Sequence, residues 1–321
     1  MTALAAPAAA PPSTLEMTRE QWLAERRKGI GGSDAAAACG LDPFKTRLRL
    51  YLEKRGEVAE EDISQKMSVR FGNRLEQAVA DEYEQQTGQK VARVNRILQS
   101  KTHPFMLANL DRRIIGSRRI LEIKTTGYWA AKSDEDWGPA GTDLVPIRYM
   151  MQVQHYMHVA EASGADLAVL IGGQEFRCYT IQRDKALIDL LIEHETDFWR
   201  RVQQGDPPPA VSLDDSLSRF PVAQDRVVYA TDEIAEMVGV LSDHKRYEKE
   251  RKAEIEAIKA RVTEFMGDGN VLMLGQTPIA TWKNRAKTSL DTDRLKKERP
   301  EVYEEFARRG SARAFLLAGE K

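Results

Sequence analysis

A chain of 321 residues with 42% apolar side chains can build one large domain with an appendage, or two ordinary domains. Its 48 lysines and arginines nearly cancel its 49 aspartates and glutamates, which excludes a strong basic field over the whole molecule. Two cysteines, Cys39 and Cys178, are too few for a disulfide framework or a cysteine-built zinc site, and no run reaches the roughly 20 apolar residues of a membrane span, so a soluble protein of the reducing cytoplasm is expected.

The first 17 residues open Ala/Pro-rich and uncharged and read as a disordered tail. Thr18 caps a helix to Arg27 that Gly29, Gly31 and Gly32 break, and Ser33 and Asp34 stand where the next N-cap belongs, before a short helix to Cys39. A helix over 46–54 follows. Phe71, Leu75, Ala78, Val79 and Tyr83 then recur at helical spacing, which predicts a helix over 69–86 that carries Glu76 and ends at Gly88. Strands are expected over 91–98, 105–111 and 120–125, with a turn at Gly116 and Ser117. A helix over 146–162, a strand pair across Gly172 and Gly173, and an amphipathic helix over 185–204 complete a domain that Pro207, Pro208 and Pro209 stop. The domain thus spans 18–210, with a linker over 211–230. An α+β extension over 231–321 has a long charged helix to 266, a hairpin, a helix pair over 291–309 and a last strand at 314–317.

The chemistry concentrates in Leu121-Glu122-Ile123-Lys124. Successive strand side chains alternate faces, so Leu121 and Ile123 can enter a core while Glu122 and Lys124 line a cleft. A hairpin brings Asp111 beside Glu122. Two carboxylates with the Ile123 carbonyl make an all-oxygen site for a hard cation, Mg²⁺ or Mn²⁺. Such ions stabilise charge in phosphodiester hydrolysis and acidify the attacking water, which Lys124 can orient. In a chain this charged the bare pattern arises easily, and alone it favours a surface strand with an ion pair. Context changes the balance, because Gly72 and Glu76 share a helix face, as do Gln152 and Tyr156. A helix-borne Glu is a plausible further ligand, and a Gln beside a scissile phosphate donates a hydrogen bond without adding charge.

Other features have a plainer alternative. Arg26, Arg27 and Lys28, and Arg112, Arg113, Arg118 and Arg119, are local basic clusters that suit DNA, though a charge run is more often a solvated face. His155 and His158 lack a third ligand at matching spacing, which favours packing over metal. Trp129 and Trp137 favour loop packing over base stacking. The stripe of the long helix is irregular around His244 and Tyr247, which favours packing on its own domain or on a partner over a coiled coil.

Together, Arg27-x-Gly29-Ile30-Gly31-Gly32-Ser33-Asp34, Gly72-x-x-x-Glu76, Asp111, Leu121-Glu122-Ile123-Lys124 and Gln152-Val153-Gln154-x-Tyr156 resemble the YqaJ-type phage recombination exonucleases, relatives of lambda exonuclease. The match spans about 18–205 with all five motifs in order. The resemblance implies an α/β fold of the PD-(D/E)XK, restriction-endonuclease-like kind, a central mixed sheet flanked by helices. It implies Mg²⁺-dependent 5′-to-3′ degradation of one strand of linear duplex DNA, with two ions, Mn²⁺ able to substitute, a homotrimer around the DNA and a single-strand annealing partner of the RecT/Beta kind. By position, Glu76, Asp111, Glu122 and the Ile123 carbonyl resemble the metal ligands, Lys124 the catalytic lysine and Gln152 the supporting glutamine. Arg27 and Ser33 resemble the 5′-phosphate pocket, suited to it by a bidentate guanidinium and a helix N-terminus, and Val69 resembles an apolar wedge at the terminal base pair. Thr125-Thr126 departs from the family's frequent Cys-Pro. Two alternatives stay open: an endonuclease on the same fold, and a catalytically silent DNA-end-binding adapter.

Overall fold

In the computed structural model, which describes residues 13–133, 137–308 and 313–318, the chain falls into two units, Met1–Arg219 and Phe220–Lys321. The expected tail lies outside the described residues up to residue 12. Its last part is tied down, with Ser13 bridging Arg96 and the Thr14 N–H donating to the Asn95 carbonyl at 3.0 Å.

Thr18 caps α1 (Arg19–Arg27) in a reciprocal box with Gln21. After β1 (Ile30–Gly31), α2 (Gly32–Ala38) has Gly31 as its N-cap, so Ser33 and Asp34 lie inside the first turn and not at the cap. Asp34 still serves the turn, its Oδ2 accepting the Gly31 N–H at 3.3 Å. Next come α3 (Arg47–Arg55), capped by Thr46, and α4 (Met67–Thr87), closed by Gly88 at a φ of 71° that a side chain would strain. The expected long strands 91–98 and 105–111 are broken into β2 (Val91–Arg93), β3 (Leu98–Gln99) and β4 (Met106–Ala108), and Asp111 precedes β5 (Arg112–Ile114) instead of ending a strand. Then follow β6 (Arg119–Thr126), α5 (Tyr128–Ser133), α6 (Ile147–Val159), β7 (Gly164–Ile171), β8 (Glu175–Gln182), α7 (Lys185–Gln204) and α8 (Leu213–Arg219). The last helix falls in the expected linker. Its buried Asp215 accepts hydrogen bonds from Thr46 and from the Val211 N–H, which holds α8 against α3.

The five-stranded sheet has the order β2-β5-β6-β7-β8, with β6 and β7 parallel across the α6 crossover and the other pairs antiparallel. A smaller sheet has the order β1-β4-β3, with β3 and β4 falling between β2 and β5 in sequence. Val79, Ala80 and Tyr83 of α4 pack on Leu121, Ile123 and Ala168, while Val153 and Met157 of α6 pack with Ile120, Leu167 and Val169. Alternation along β6 therefore sends Leu121 and Ile123 to α4 and Glu122 to α6.

His155 is fully buried with Glu195 of α7, Nδ1 at 2.9 Å from Oε1 and Nε2 at 2.8 Å from the Leu107 carbonyl oxygen. The Leu107 carbonyl can only accept, so Nε2 donates to it, and the Nδ1 contact with Glu195 favours the charged ring. Burial opposes that charge, but Glu195 outweighs it and raises the His155 pKa. The pair ties α6 to α7 and β4. His158 meets Ser100 and His103 instead, and burial lowers its pKa to about 4.

In the second unit, α9 (Asp232–Met266) is followed by the antiparallel hairpin of β9 (Val271–Leu274) and β10 (Thr277–Thr281), then by α10 (Thr292–Glu298) and α11 (Pro300–Phe306). The expected strand at 314–317 is not formed, and Arg309 of the expected helix pair lies outside the described residues. No described helix is long and apolar enough to cross a membrane.

Candidate active site

The site forms where β5 and β6 part. Their pairing ends at Arg112 opposite Leu121, while β6 continues along β7 as far as Thr126. Asp111 fills the gap, its Oδ2 accepting the Ile123 N–H at 2.8 Å. The N–H and C=O of a strand residue leave on the same edge, so the Ile123 carbonyl faces the same fork. On the α6 side, Glu122 Oε1 accepts from Lys124 Nζ and from Gln152 Nε2, each at 2.6 Å. Gln152 Nε2 is also 3.2 Å from the Tyr156 hydroxyl, and Lys124 Nζ lies 5.1 Å from the centre of the Tyr149 ring. From α4, Glu76 pairs with the buried Arg112, whose Nη1 also donates to the Asp111 carbonyl at 2.8 Å. Glu76, Asp111, Glu122, Ile123, Lys124 and Gln152 line one cavity of about 600 Å³.

Charge in this cavity is crowded. Burial, then the Glu122 carboxylate, pushes the Asp111 carboxyl up to about 8. Burial also raises Glu122, against the pull of Lys124. Lys124 is raised although burial opposes it, because Glu122 and Asp111 outweigh desolvation. The donors are all oxygen and suit Mg²⁺ or Mn²⁺. As placed, among the described residues no three of His, Cys, Asp and Glu gather closely enough to hold one ion. The hydrogen bonds give the reason: Glu76 is turned to Arg112, Glu122 Oε1 to Lys124 and Gln152, and Asp111 Oδ2 to the Ile123 amide. The residue types and their convergence fit a hard cation.

Ser33 and Val69 line the same cavity, whereas Arg27 is exposed and does not. Arg26 lines it instead. Its Nη2 is 3.1 Å from Ser33 Oγ and 3.0 Å from Asp34 Oδ1, and its guanidinium stands 4.8 Å from the Trp22 ring centre. One residue is about 100° around a helix, enough to turn a neighbour out to solvent. Asp34 is buried and also takes Lys54 Nζ at 2.8 Å, and these two cations hold its carboxyl well below the usual range despite desolvation.

Sequence reasoning missed Arg112, Asp34 and Lys54 as supports of the site. Arg112 stood in a basic run read for DNA contact, and its position next to Asp111 was the only signal. Of that run, Arg119 pairs with Asp166, Arg118 donates to the Glu161 carbonyl, and Arg113 is exposed. Trp137 packs against Tyr149 and Tyr179, while Trp129 is 76% exposed, so the two tryptophans part company.

Residues 21–163 match the model of the YqaJ-like viral recombinase domain. The YqaJ protein of Bacillus subtilis strain 168 is 36% identical over 312 residues, covering 94% of each chain. The chain belongs to the YqaJ-like viral recombinase family. Among solved structures, this YqaJ-family chain is similar to an alkaline exonuclease from Laribacter hongkongensis, at 19% identity and a TM-score of 0.49 over 58% of this chain and 94% of that one. It is also similar to a phage-related exonuclease from Haemophilus somnus 129PT, at 15% identity and a TM-score of 0.44 over 55% and 94%.

Proposed function

We propose that this YqaJ-family protein is a metal-dependent 5′-to-3′ exonuclease that degrades one strand of linear duplex DNA and leaves a 3′ single strand for annealing. The observation that carries the proposal is the meeting of Asp111, Glu122, Lys124 and Gln152 in one cavity at the parting of two strands. The mixed sheet with this site on β6 supports a PD-(D/E)XK fold. Asp111, Glu122, the Ile123 carbonyl and Glu76 would hold Mg²⁺. When bound, one or two such ions supply Lewis acidity at the scissile phosphate and acidify a water. Lys124 orients the attacking water and offsets charge on the phosphate. Gln152 fixes Glu122 without adding charge. Arg26 and Ser33 receive the 5′-phosphate, and Val69 wedges the terminal base pair. Trimer formation and delivery to a RecT/Beta-type annealing protein belong to the same reading, by family resemblance.

With end-labelled linear duplex and Mg²⁺, the wild type is expected to release nucleotides from the 5′ end and to leave covalently closed circles intact. Glu122→Ala and Lys124→Ala are each expected to lose roughly 10²-fold or more in rate. A fully active Glu122→Ala protein removes the proposal, nicked circles favour an endonuclease, and DNA ends bound but never cut favour an adapter. The phosphate pocket has its own test: Arg26→Ala is expected to abolish the preference for 5′-phosphorylated over 5′-hydroxyl ends, and Arg27→Ala to keep it.

A further inference from the structure

The long helix of the second unit carries an apolar face that stays open among the described residues of that unit. None of the residues of α9 is buried, and Ile234, Met237, Ile255, Ile258 and Phe265 are all at least 48% exposed. These positions are not scattered. Ile234, Leu241, Ile255 and Val262 fall at multiples of seven from one another, and Met237, Ile258 and Phe265 stand three residues after members of the same series. That is the a/d spacing of a two-stranded coiled coil. The interruption that makes the stripe look irregular occupies the same seam positions with polar residues: His244, Glu248 and Arg251.

This polar centre selects the partner and its direction. A second copy laid parallel would stack Glu248 on Glu248 and Arg251 on Arg251, like charge on like charge at two adjacent layers. A second copy laid antiparallel, with its Ile258 against Leu241, brings its Arg251 against Glu248 and its Glu248 against Arg251, two opposite-charge pairs related by the twofold axis. The same register sets Ile234 against Phe265 and Met237 against Val262, so every remaining layer but that of His244 is apolar on both sides. Glu248 and Arg251 pair within their own helix, with Lys252 at 2.6 Å and Glu254 at 2.6 Å, and both pairs are solvent-exposed and exchangeable at little cost. Lys245 and Lys252 meet across the rim in this register, where water and salt screen them.

We infer that α9 is a self-association surface that binds the α9 of a second copy of this chain antiparallel, with Glu248 and Arg251 as the reciprocal pair that sets the register. The inference is independent of the nuclease reading, since it uses no residue of the first unit.

The test is disulfide trapping in the full chain. Leu241→Cys with Ile258→Cys is expected to give a covalent dimer on oxidation. Either substitution alone is expected to give none, because like positions then lie about 25 Å apart along the axis. Wild-type protein, with its native Cys39 and Cys178, is the control. Single variants that trap as well as the double one, or a double variant that does not trap, overturn the inference, and a trimer built through the first unit cannot mimic the trapped pair. Charge reversal gives a second reading by sedimentation. Glu248→Arg alone and Arg251→Glu alone are each expected to weaken α9-dependent dimerisation by roughly tenfold or more, and the two together to restore it. Absence of rescue in the double reversal, with the helix content of every variant unchanged, overturns the assigned register.

Discussion

Asp111 carries two demands that conflict without a cation. Its carboxylate completes the open edge of β6, yet burial and Glu122 raise its pKa from 3.8 to about 8. Between those values the folded protein holds a proton that the unfolded chain has released. Stability of the metal-free protein therefore falls as pH rises from about 4 to about 8, and the whole cost stands above 8. Asp111→Asn keeps an oxygen for the Ile123 amide and removes the charge. In EDTA at pH 8 the variant is expected to melt higher than wild type, on the order of 5 °C, with the gap closing towards pH 4. A gap independent of pH in calorimetry would show that this carboxyl is not the source.

At the scale of elements, the seam between α2 and α6 determines how firmly the cavity is shaped. A Cβ on Gly32 would stand 2.3 Å from Cε1 of the Tyr156 ring, and Tyr156 in turn supports Gln152. Gly32→Ala is expected to cost about 1–3 kcal/mol in denaturant melts and to slow cleavage, because the ring has to move. Helical periodicity made α4, α6 and α7 legible, and strand alternation placed Leu121 and Ile123 opposite Glu122. The helix phase that chooses Arg26 over Arg27 was not legible, since a run of three cations does not say which one faces inward. That phase is set by the Thr18 cap and by packing over Trp22. The pairing of Arg112 with Glu76 was hidden too, because it joins a helix to a strand 36 residues away. The breaks in the expected strands 91–98 and 105–111 come from backbone routing that apolar pattern does not encode.

For the molecule as a whole, the boundary between the units decides what can be removed. Asp215 and Thr46 are joined, so the first unit needs α8. A chain ending at Arg219 is expected to fold and, on the proposed function, to cleave short duplexes with Mg²⁺. One ending at residue 210 is expected to melt lower, since Thr46 loses the acceptor of its hydroxyl. Equal melting temperatures for the two chains would show that α8 is dispensable. The carboxylates of the cavity already have their own counter-ions, for Lys124 sits on Glu122 and Arg112 on Glu76. On the proposed function, a divalent ion would enter such a centre by exchange and not by filling a bare anionic hole. The resting protein would thereby be neutralised in place, the metal would be held more loosely than its carboxylates alone would hold it, and a phosphate arriving with the DNA would become part of what keeps the ion there.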